Sequence, residues 1–514
     1  MVKTTTITLH TKFQIGAVDP RIFGGFLEHM GRAVYEGVYD PDCALADEDG
    51  FRTDVMDALR RLNMPGMRYP GGNFVSGYHW LDGVGPRESR PRKEEAAWKS
   101  VETNQFGTDE FARLCHKMDW ESMMAVNLGT GSAKEARNWV EYCNGPLGTE
   151  YGDMRAANGA AGPATEPYGV KVWFLGNEMD GVWQQGHVPA DQYAARALEA
   201  ARLMREVDES IELVVCGTCN PFLPTYMEWD RQVLEGVGDL ADYLSLHRYV
   251  GNLDDDTPDF LAVTNSIDRQ IEEMDAVCRF VQAKARSKKR AYLSFDEWNV
   301  WYKNMEMDGQ GKSAPHLIEE EYNLEDALVV AGFFNSFIRH ADVLKIANIA
   351  QIVNVIAPIL TLGDEMLIQS IFYSFAMFSR RRDGVSLRLA VDGPTYEGKN
   401  NGLVHTVDGS AILDLDGGKL HVFAVNRCLD EAAIVRVELA DRAIAALENG
   451  ELLTGPDAKA ANSFAQPDVV KARSFADARI AEGAPLAFGI SHSDGAASLE
   501  LPPLSVAAMT FILE

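Results

Sequence analysis

Short apolar runs alternate with longer amphipathic stretches between about residues 20 and 380. The apolar runs have the length of strands, and the amphipathic stretches repeat their apolar residues with the helical period. The predicted strands are residues 22–27, 66–69, 122–127, 170–175, 212–216, 243–247, 291–295 and 346–353. The predicted helices include residues 54–62, 108–117, 190–207, 268–284 and 325–340.

Eight strand–helix units in succession predict an α/β fold, a (β/α)8 TIM barrel. The active site of such a barrel lies at the carboxyl ends of its strands, so polar residues that directly follow a strand become candidates for catalysis. Residues 145–167, rich in Gly, Ala and Pro, are predicted to form a long loop before the fourth strand.

The pattern changes after about residue 384, where apolar and polar positions alternate and turn residues separate the runs. Residues 411–415, 419–426, 434–439 and 505–513 are predicted strands, and residues 4–9 form another. We therefore predict a catalytic (β/α)8 barrel over residues 18–384 and a C-terminal all-β sandwich, resembling a jelly roll, over residues 385–514. The N-terminal strand region, residues 1–17, is predicted to join the sandwich.

Charge and cysteine content narrow the possible partners. The 514 residues include 48 Lys and Arg and 76 Asp and Glu, for a net charge of −28, so neither nucleic acid nor membrane is a predicted partner. The N-terminus lacks the continuous apolar run of a secretory signal, which favours a cytoplasmic protein; a secreted chain with its signal removed is the alternative. Seven scattered cysteines do not resemble a disulfide framework.

Two glutamates stand at the ends of predicted strands. Glu178 follows the fourth strand beside Asn177, and Glu297 closes the seventh strand next to Asp296. These strands lie across the barrel mouth from one another, so both carboxylates are predicted to face one cleft. Glycosidic cleavage needs such a pair, one to protonate the leaving oxygen and one to attack or to activate water. The alternative for each glutamate is a solvated or ion-paired side chain. Asp296 is expected to point to the opposite side, because strand side chains alternate.

Several longer blocks accompany these glutamates. They are residues 24–39 (GGFLEHMGRAVYEGVY), 67–73 (MRYPGGN), 176–181 (GNEMDG), 245–249 (SLHRY), 295–299 (FDEWN), 351–358 (QIVNVIAP) and 501–505 (LPPLS). In this order they resemble glycoside hydrolase family 51, the α-L-arabinofuranosidases, over most of the barrel and the closing sandwich strands. The Asn-Glu pair alone would indicate only the wider superfamily of retaining barrel glycosidases.

The resemblance implies an exo-acting, retaining enzyme that releases terminal α-L-arabinofuranosyl residues, with Glu178 as acid/base and Glu297 as nucleophile. It also implies a set of substrate-binding residues, namely Glu28, Arg68, Asn73, Asn177, His247, Tyr249 and Gln351. Arg68 would support the carboxylates and Asn177, and Tyr249 would hydrogen-bond the nucleophile. Alternatively, Glu28 forms an ion pair with Arg32 or Arg68, and His247 is a packed core histidine.

Aromatic residues near these blocks are the next candidates. Among Trp98, Trp183, Trp298 and Trp301, the predicted sugar contacts are Trp98 and Trp301, although large aromatics are more often simply packed. No metal-ligand spacing and no nucleotide-binding motif is present, so neither a metal nor a cofactor is predicted.

The predicted partners are arabinose-containing oligosaccharides derived from arabinan or arabinoxylan. The family resemblance also implies a homo-oligomer, commonly a hexamer. Other functions stay open at this point: a β-xylosidase or an endoglucanase on the same barrel, or a carbohydrate-binding protein without turnover.

Overall fold

The computed structural model describes residues 3–158, 166–478, 486–491 and 495–514. Up to residue 368 the strands are β1 (Lys3–Leu9), β2 (Gln14–Ala17), β3 (Gly24–Phe26), β4 (Gly66–Tyr69), β5 (Lys93–Glu95), β6 (Ser100–Glu102), β7 (Glu121–Val126), β8 (Val172–Leu175), β9 (Glu212–Val215), β10 (Tyr243–Val250), β11 (Tyr292–Val300), β12 (Leu344–Ala350), β13 (Ile359–Leu362) and β14 (Glu365–Ile368). The helices are α1 (Thr53–Arg61), α2 (Thr108–Met118), α3 (Ala133–Asn144), α4 (Glu150–Ala157), α5 (Ala190–Val207), α6 (Glu228–Val237), α7 (Thr257–Leu261), α8 (Thr264–Ala285), α9 (Leu324–Arg339) and α10 (Ser370–Ser379).

Within the described ranges, eight parallel strands close into a barrel in the order β3-β4-β7-β8-β9-β10-β11-β12, and β12 pairs with β3. Every residue of β8 is buried, as expected for a strand that is covered on both faces. The predicted (β/α)8 barrel is therefore confirmed. The strands β10 and β11 run past their predicted ends, so Glu297 lies inside β11 and not after it.

The segment before β8 differs from its prediction. Helix α4 occupies residues 150–157, and the Thr149 side chain caps its first turn by accepting a hydrogen bond from Gly152 N. The prediction of one long loop over residues 145–167 is thus wrong where α4 lies, whereas residues 159–165 fall outside the described residues.

The C-terminal strands are β15 (Val385–Leu387), β16 (Ala390–Asp392), β17 (Thr395–Gly398), β18 (Gly402–His405), β19 (Val407–Leu413), β20 (Lys419–Asn426), β21 (Ala433–Leu439), β22 (Ile444–Leu453), β23 (Arg473–Ser474), β24 (Phe488–Ile490), β25 (Ala497–Leu501) and β26 (Ser505–Leu513). One sheet has the order β16-β1-β21-β25-β24 and the other β2-β15-β19-β20-β26-β22-β23. Side chains such as Ile7 and Val435 of the first sheet share a core with Leu420 and Met509 of the second. The predicted all-β sandwich is confirmed, and β1 and β2 lie in its sheets; the boundary at residue 384 stays a prediction.

Helix α9 connects the barrel to the sandwich. Asn323 caps its start, because the Asn323 side chain accepts from Asp326 N while Asp326 accepts from Asn323 N. At its other end Arg339 pairs with Asp408 of β19 at 2.9 Å, and Asn335 accepts a hydrogen bond from a serine of the same strand. These contacts fix the sandwich against the outer wall of the barrel. Among the described residues, no helix has the length and apolar character needed to cross a bilayer.

Candidate active site

A cavity of about 810 Å³ opens at the carboxyl ends of the barrel strands, a volume in the usual range for small-molecule sites. Nine of the predicted site residues line it: Glu28, Asn73, Trp98, Glu178, His247, Tyr249, Glu297, Trp301 and Gln351. The two remaining predicted residues, Arg68 and Asn177, are almost fully buried and hydrogen-bond to one another at 2.7 Å. The structure therefore brings all the predicted residues to one end of the barrel.

Glu297 is held inside strand β11 by two strong donors. Arg68 Nη1 donates to Glu297 Oε1 at 2.8 Å, and the Tyr249 hydroxyl donates to Glu297 Oε2 at 3.1 Å. Arg68 is 1% exposed, and its second terminal nitrogen, Nη2, donates to Asn177. Hydrogen bonds on two sides therefore fix the position of the guanidinium. A buried, always charged guanidinium thus faces this carboxylate at hydrogen-bond distance.

Glu178 lies on the turn that follows β8. Gly176 has a φ of 93° and Glu178 a φ of 44°, so the chain passes twice through the left-handed region as it leaves the strand. Trp183 Nε1 donates to Glu178 Oε2 at 2.7 Å, and His247 Nδ1 lies 2.9 Å from Glu178 Oε1. The turn aims this carboxylate into the cavity, where Glu297 also points.

His247 stands between the two glutamates. Its Nδ1 lies 2.9 Å from Glu178 and 3.5 Å from Glu297, and its Nε2 lies 3.5 Å from Asp296. Burial alone would lower the pKa of His247, but the charge of Glu297 and hydrogen bonds with Asp296 and Glu178 raise this pKa well above its usual value. The imidazole is therefore protonated at neutral pH and bridges the carboxylates as a cation.

Asp296 corrects one prediction from the sequence. It was expected to point away from Glu297, yet its carboxylate reaches Arg68 Nε and His247 Nε2, both at 3.5 Å. The expectation was wrong because the pairing of β11 shifts register against both neighbours, between Phe295 and Trp298 on one side, which breaks the strict alternation of side chains. Burial raises the pKa of Asp296, but Arg68 and His247 outweigh it and hold this pKa below its ordinary range.

Glu28 forms the opposite wall of the cavity. Its Oε1 accepts hydrogen bonds from Phe74 N at 2.9 Å and Trp98 Nε1 at 3.2 Å, while its own backbone N–H donates to Gln351 Oε1 at 2.8 Å. Burial and the nearby charge of Glu297 raise the pKa of Glu28 to about 8. Glycine is required beside it, because a Cβ at Gly72 would lie 2.6 Å from Glu28 Oε2.

The structure does not contain the alternative ion pair of Glu28 with Arg32 or Arg68. Arg32 pairs with Glu319 at 2.7 Å and Arg68 pairs with Glu297, so neither arginine lies within ion-pairing distance of Glu28 among the described residues.

Trp301 packs edge-on against the ring of Tyr249 at 5.6 Å and donates its indole N–H to a nearby carbonyl.

The cavity residues that were not predicted as site residues include Trp183, Arg248 and Phe222. Trp183 is one of the four tryptophans near the catalytic blocks. Its position five residues after Glu178 is the sequence feature that could have identified it as a site residue. Arg248 lies inside the SLHRY block, between two predicted residues, and that position was its available signal. Phe222 follows β9 in a loop with no motif. Trp298, by contrast, is a core residue whose ring packs at a tilt of 35° against Phe333, with the ring centroids 4.8 Å apart.

The ligand atoms of Glu178, His247 and Glu297 all lie within 4.8 Å of one another, and these are residue types that divalent metal ions accept. The same atoms already face cations, since Arg68 donates to Glu297 and His247 is protonated. Arg68 and His247 thus supply, from the protein itself, the positive charge that a metal ion would bring to these carboxylates. The expectation of a site without metal or cofactor stays a prediction.

A (β/α)8 barrel with two carboxylates converging at the carboxyl ends of its fourth and seventh strands has the architecture of a glycoside hydrolase. Two family models match the chain, the α-L-arabinofuranosidase 1 domain over residues 58–257 and the α-L-arabinofuranosidase C-terminal domain over residues 296–491.

Curated relatives and solved structures agree with the family models. The chain is 45% identical to the intracellular exo-α-(1→5)-L-arabinofuranosidase 1 of Bacillus subtilis over 475 residues, 91% of this chain and 94% of that protein. It is 41% identical to an exo-α-(1→6)-L-arabinofuranosidase of Bifidobacterium longum, covering 84% of this chain and 85% of the relative. A solved family 51 α-L-arabinofuranosidase from Bifidobacterium longum superposes with a TM-score of 0.92 at 34% identity, over 99% of this chain and 100% of that one. The chain belongs to glycoside hydrolase family 51, the α-L-arabinofuranosidases.

Proposed function

We propose that this protein is an exo-acting α-L-arabinofuranosidase that cleaves with retention of configuration, using Glu297 as nucleophile and Glu178 as acid/base. One observation carries the proposal: a carboxylate oxygen of Glu178 and one of Glu297 lie within 4.8 Å of each other at the same cavity. Retaining enzymes hold their carboxyl groups about 5–5.5 Å apart, whereas inverting enzymes need about 6.5–9.5 Å to admit water. The close approach supports direct attack by the carboxylate.

In the first step a Glu297 oxygen attacks the anomeric carbon of the terminal arabinofuranosyl unit. The glycosidic bond breaks, and the departing oxygen takes a proton from the Glu178 carboxyl group. In the second step Glu178, now a carboxylate, removes a proton from water, whose oxygen attacks the anomeric carbon. The ester bond to Glu297 breaks, arabinose leaves and Glu178 is protonated again.

The surrounding side chains would position the sugar and the carboxylates. Arg68 and Tyr249 direct the Glu297 oxygens, and Asn177, fixed by Arg68, is proposed to bind the hydroxyl next to the anomeric carbon. Glu28, Asn73 and Gln351 are proposed to bind the remaining hydroxyls of the furanose, with Trp98 and Trp301 as the flanking aromatic walls. At neutral pH the raised pKa of Glu28 keeps its proton available for donation to a sugar oxygen.

The proposed substrates are short arabinose-containing oligosaccharides. The Bacillus and Bifidobacterium relatives described above are both named for exo action, which supports release of terminal residues. Their names give (1→5) linkages in one case and (1→6) in the other, so both linkages are candidates. An intracellular location is proposed from the name of the Bacillus relative. Assembly into a homo-oligomer, with a hexamer expected, stays a prediction that light scattering after size exclusion would test.

The test is hydrolysis of an aryl α-L-arabinofuranoside followed by proton NMR from the first seconds. Retention predicts that α-L-arabinofuranose is the first sugar released, before it equilibrates with its β form. First release of the β anomer would contradict the retaining scheme. Aryl β-xyloside and an internally linked arabinan serve as comparison substrates, and faster cleavage of either would contradict the specificity for terminal arabinofuranosyl groups.

A further inference from the structure

Arg248 is a buried arginine at the active-site cavity that the proposed mechanism does not use. It lies in β10 between His247 and Tyr249, lines the same cavity and is 7% exposed. Its Nη2 donates to the Ser266 hydroxyl at 3.0 Å, and its Nε is buried without a hydrogen-bond partner in the described part of the chain. A guanidinium carries five N–H donors in a planar fork, so most of this capacity is not used by the protein.

The charge of Arg248 is also uncompensated. No carboxylate of the described residues forms an ion pair with it, in a chain with 76 acidic residues. Burial lowers the pKa of Arg248 to about 10, and the Tyr226 hydroxyl is the group that opposes this, so the guanidinium stays charged at neutral pH. Buried arginines such as Arg52 and Arg90 are neutralised, by Asp54 at 2.7 Å and by Glu110 at 2.9 Å, whereas Arg155 donates to two backbone carbonyl oxygens. An unpaired buried cation is costly and calls for an anionic partner.

Arg248 and residues of the loop after β9 line the same cavity, and we call this group the Arg248 lobe: Cys219, Asn220, Pro221, Phe222 and Arg248. These residues contribute no carboxylate. The Phe222 ring lies 4.9 Å from the guanidinium carbon and is 79% exposed, so it covers the cation without offering it a hydrogen-bond acceptor. An aromatic face beside an arginine suits a sugar ring that carries a negative group.

The lobe lies on the side of the leaving group. Four of its five residues lie in the loop after β9, which is the strand that pairs with β8, and Cys219 N of this loop donates to Asp180 Oδ2, two residues after Glu178. Glu28 and Gln351, the proposed ligands of the terminal furanose, come from the opposite arc of the barrel, at β3 and β12. A ligand in the Arg248 lobe would therefore belong to the part of the substrate that departs with the proton of Glu178.

We propose that the Arg248 lobe binds the carboxylate of a uronosyl unit in the leaving group, so that the enzyme prefers arabinofuranosyl residues carried on acidic oligosaccharides. This inference rests on the proposed function. A guanidinium fork matches a carboxylate in two parallel hydrogen bonds. A singly charged sugar is favoured over phosphate because the net charge of −28 repels multivalent anions most strongly.

The test compares two substrates that differ only in charge: an α-L-arabinofuranosyl-D-galacturonic acid disaccharide and its methyl ester. For the wild type, kcat/KM on the acid should exceed that on the ester by about tenfold, mostly through KM, the size expected for a charged hydrogen bond. In Arg248→Gln the ratio should fall to about one, and Arg248→Lys should retain part of it. Arg279→Gln removes the same charge from an arginine whose side chain is 71% exposed, and it should leave the ratio unchanged.

Each failure has a distinct meaning. If the wild type hydrolyses the ester and an aryl arabinofuranoside but shows an acid-to-ester ratio of one or less, the lobe assignment is overturned while the proposed function stands. If it hydrolyses neither, the proposed function fails. A ratio unchanged in Arg248→Gln would remove Arg248 from the recognition. Loss of the ratio in inorganic phosphate, against chloride at equal ionic strength, would identify a general oxyanion site and overturn the uronosyl assignment.

Discussion

Glu297 and Glu178 face the same cavity but are held in different ways. Glu297 lies inside strand β11, is 6% exposed and binds a buried arginine and a tyrosine. Glu178 lies on a turn with a φ of 44°, has a side chain that is 12% exposed and binds a histidine and the half-exposed Trp183. One carboxylate is fixed beside a permanently charged arginine, and the other lies beside a histidine, whose charge can change, and a neutral indole.

This difference matches the two proposed roles. A nucleophile must stay ionised and aimed at one carbon, which Arg68 favours because its charge does not change with pH. An acid/base must give up and regain a proton in each cycle, and the cation that faces Glu178 at 2.9 Å is His247, whose own charge can change, and not an arginine. The surroundings of each glutamate, and not the glutamate itself, distinguish the two proposed roles. The predictions below test this division.

The largest expected effect comes from Glu297→Gln, which keeps the shape of the side chain and removes the attacking oxygen. We expect kcat on an aryl α-L-arabinofuranoside to fall on the order of 10⁴-fold or more, because no covalent intermediate forms. The melting temperature should change little by comparison. A loss of less than tenfold would show that another group attacks the sugar.

Glu178→Ala should cost about 10²- to 10⁴-fold on a disaccharide, the range for general acid–base catalysis. The loss should shrink on an activated aryl leaving group, which departs without a proton, and azide should restore turnover and give the α-arabinofuranosyl azide. Azide should not do this for Glu297→Ala, where it would give the β product. The same azide anomer from both variants would contradict the division of roles.

Arg68→Lys keeps the charge beside Glu297 but cannot donate to Glu297 and Asn177 together. We expect kcat/KM to fall about 10²-fold, similar to the loss of one preorganised donor at an active site. The control is Arg32→Lys, which breaks the paired contact of Arg32 with Glu319 outside the cavity lining. If the two variants lose equal activity, the effect of Arg68 is on folding and not on catalysis.

His247→Gln tests the cation shared by both carboxylates. The pKa of His247 is raised by folding above its ordinary 6.5, so its stabilising contribution is complete below pH 6.5 and is lost as pH rises through the folded-state pKa. The difference in melting temperature between wild type and variant should thus be largest near pH 6 and shrink in alkaline solution. A difference that grows with pH would mean that His247 is neutral in the folded protein.

The sequence predicted those parts of the molecule that depend on local pattern. Residues 66–69, 190–207, 419–426 and 505–513 form elements with the predicted bounds, because periodicity and length suffice to define them. Helix α4 was missed since its Gly- and Ala-containing stretch has little amphipathic contrast. The convergence of Glu178 and Glu297 followed from the rule that barrel strands present their carboxyl ends to one cavity, whereas the sugar-binding residues were implied by the family resemblance.

What the sequence did not predict depends on register and on loop paths. Asp296 joins Glu297 at Arg68 only because β11 is irregularly paired with both neighbours, and pairing between distant strands leaves no local signal. Phe222 reaches Arg248 through the path of the loop after β9. No periodicity encodes that path, so the Arg248 lobe emerged only from the folded chain.

The smallest effects come from removing one neutral donor from each glutamate. Tyr249→Phe deletes the hydrogen bond to Glu297, and Trp183→Phe deletes the one to Glu178. Because a single hydrogen bond contributes modestly, each loss should be about threefold to tenfold, with the smaller value for the half-exposed Trp183. The dependence on leaving group separates the two. Tyr249→Phe acts on the nucleophile and should slow formation of the covalent intermediate from every substrate, whereas Trp183→Phe acts on the acid and should have no effect on that step with a dinitrophenyl leaving group. If both variants slow hydrolysis of the dinitrophenyl substrate equally, Trp183 positions the sugar and does not support the acid. The contrast between the two glutamates would then lose one of the four contacts on which it rests.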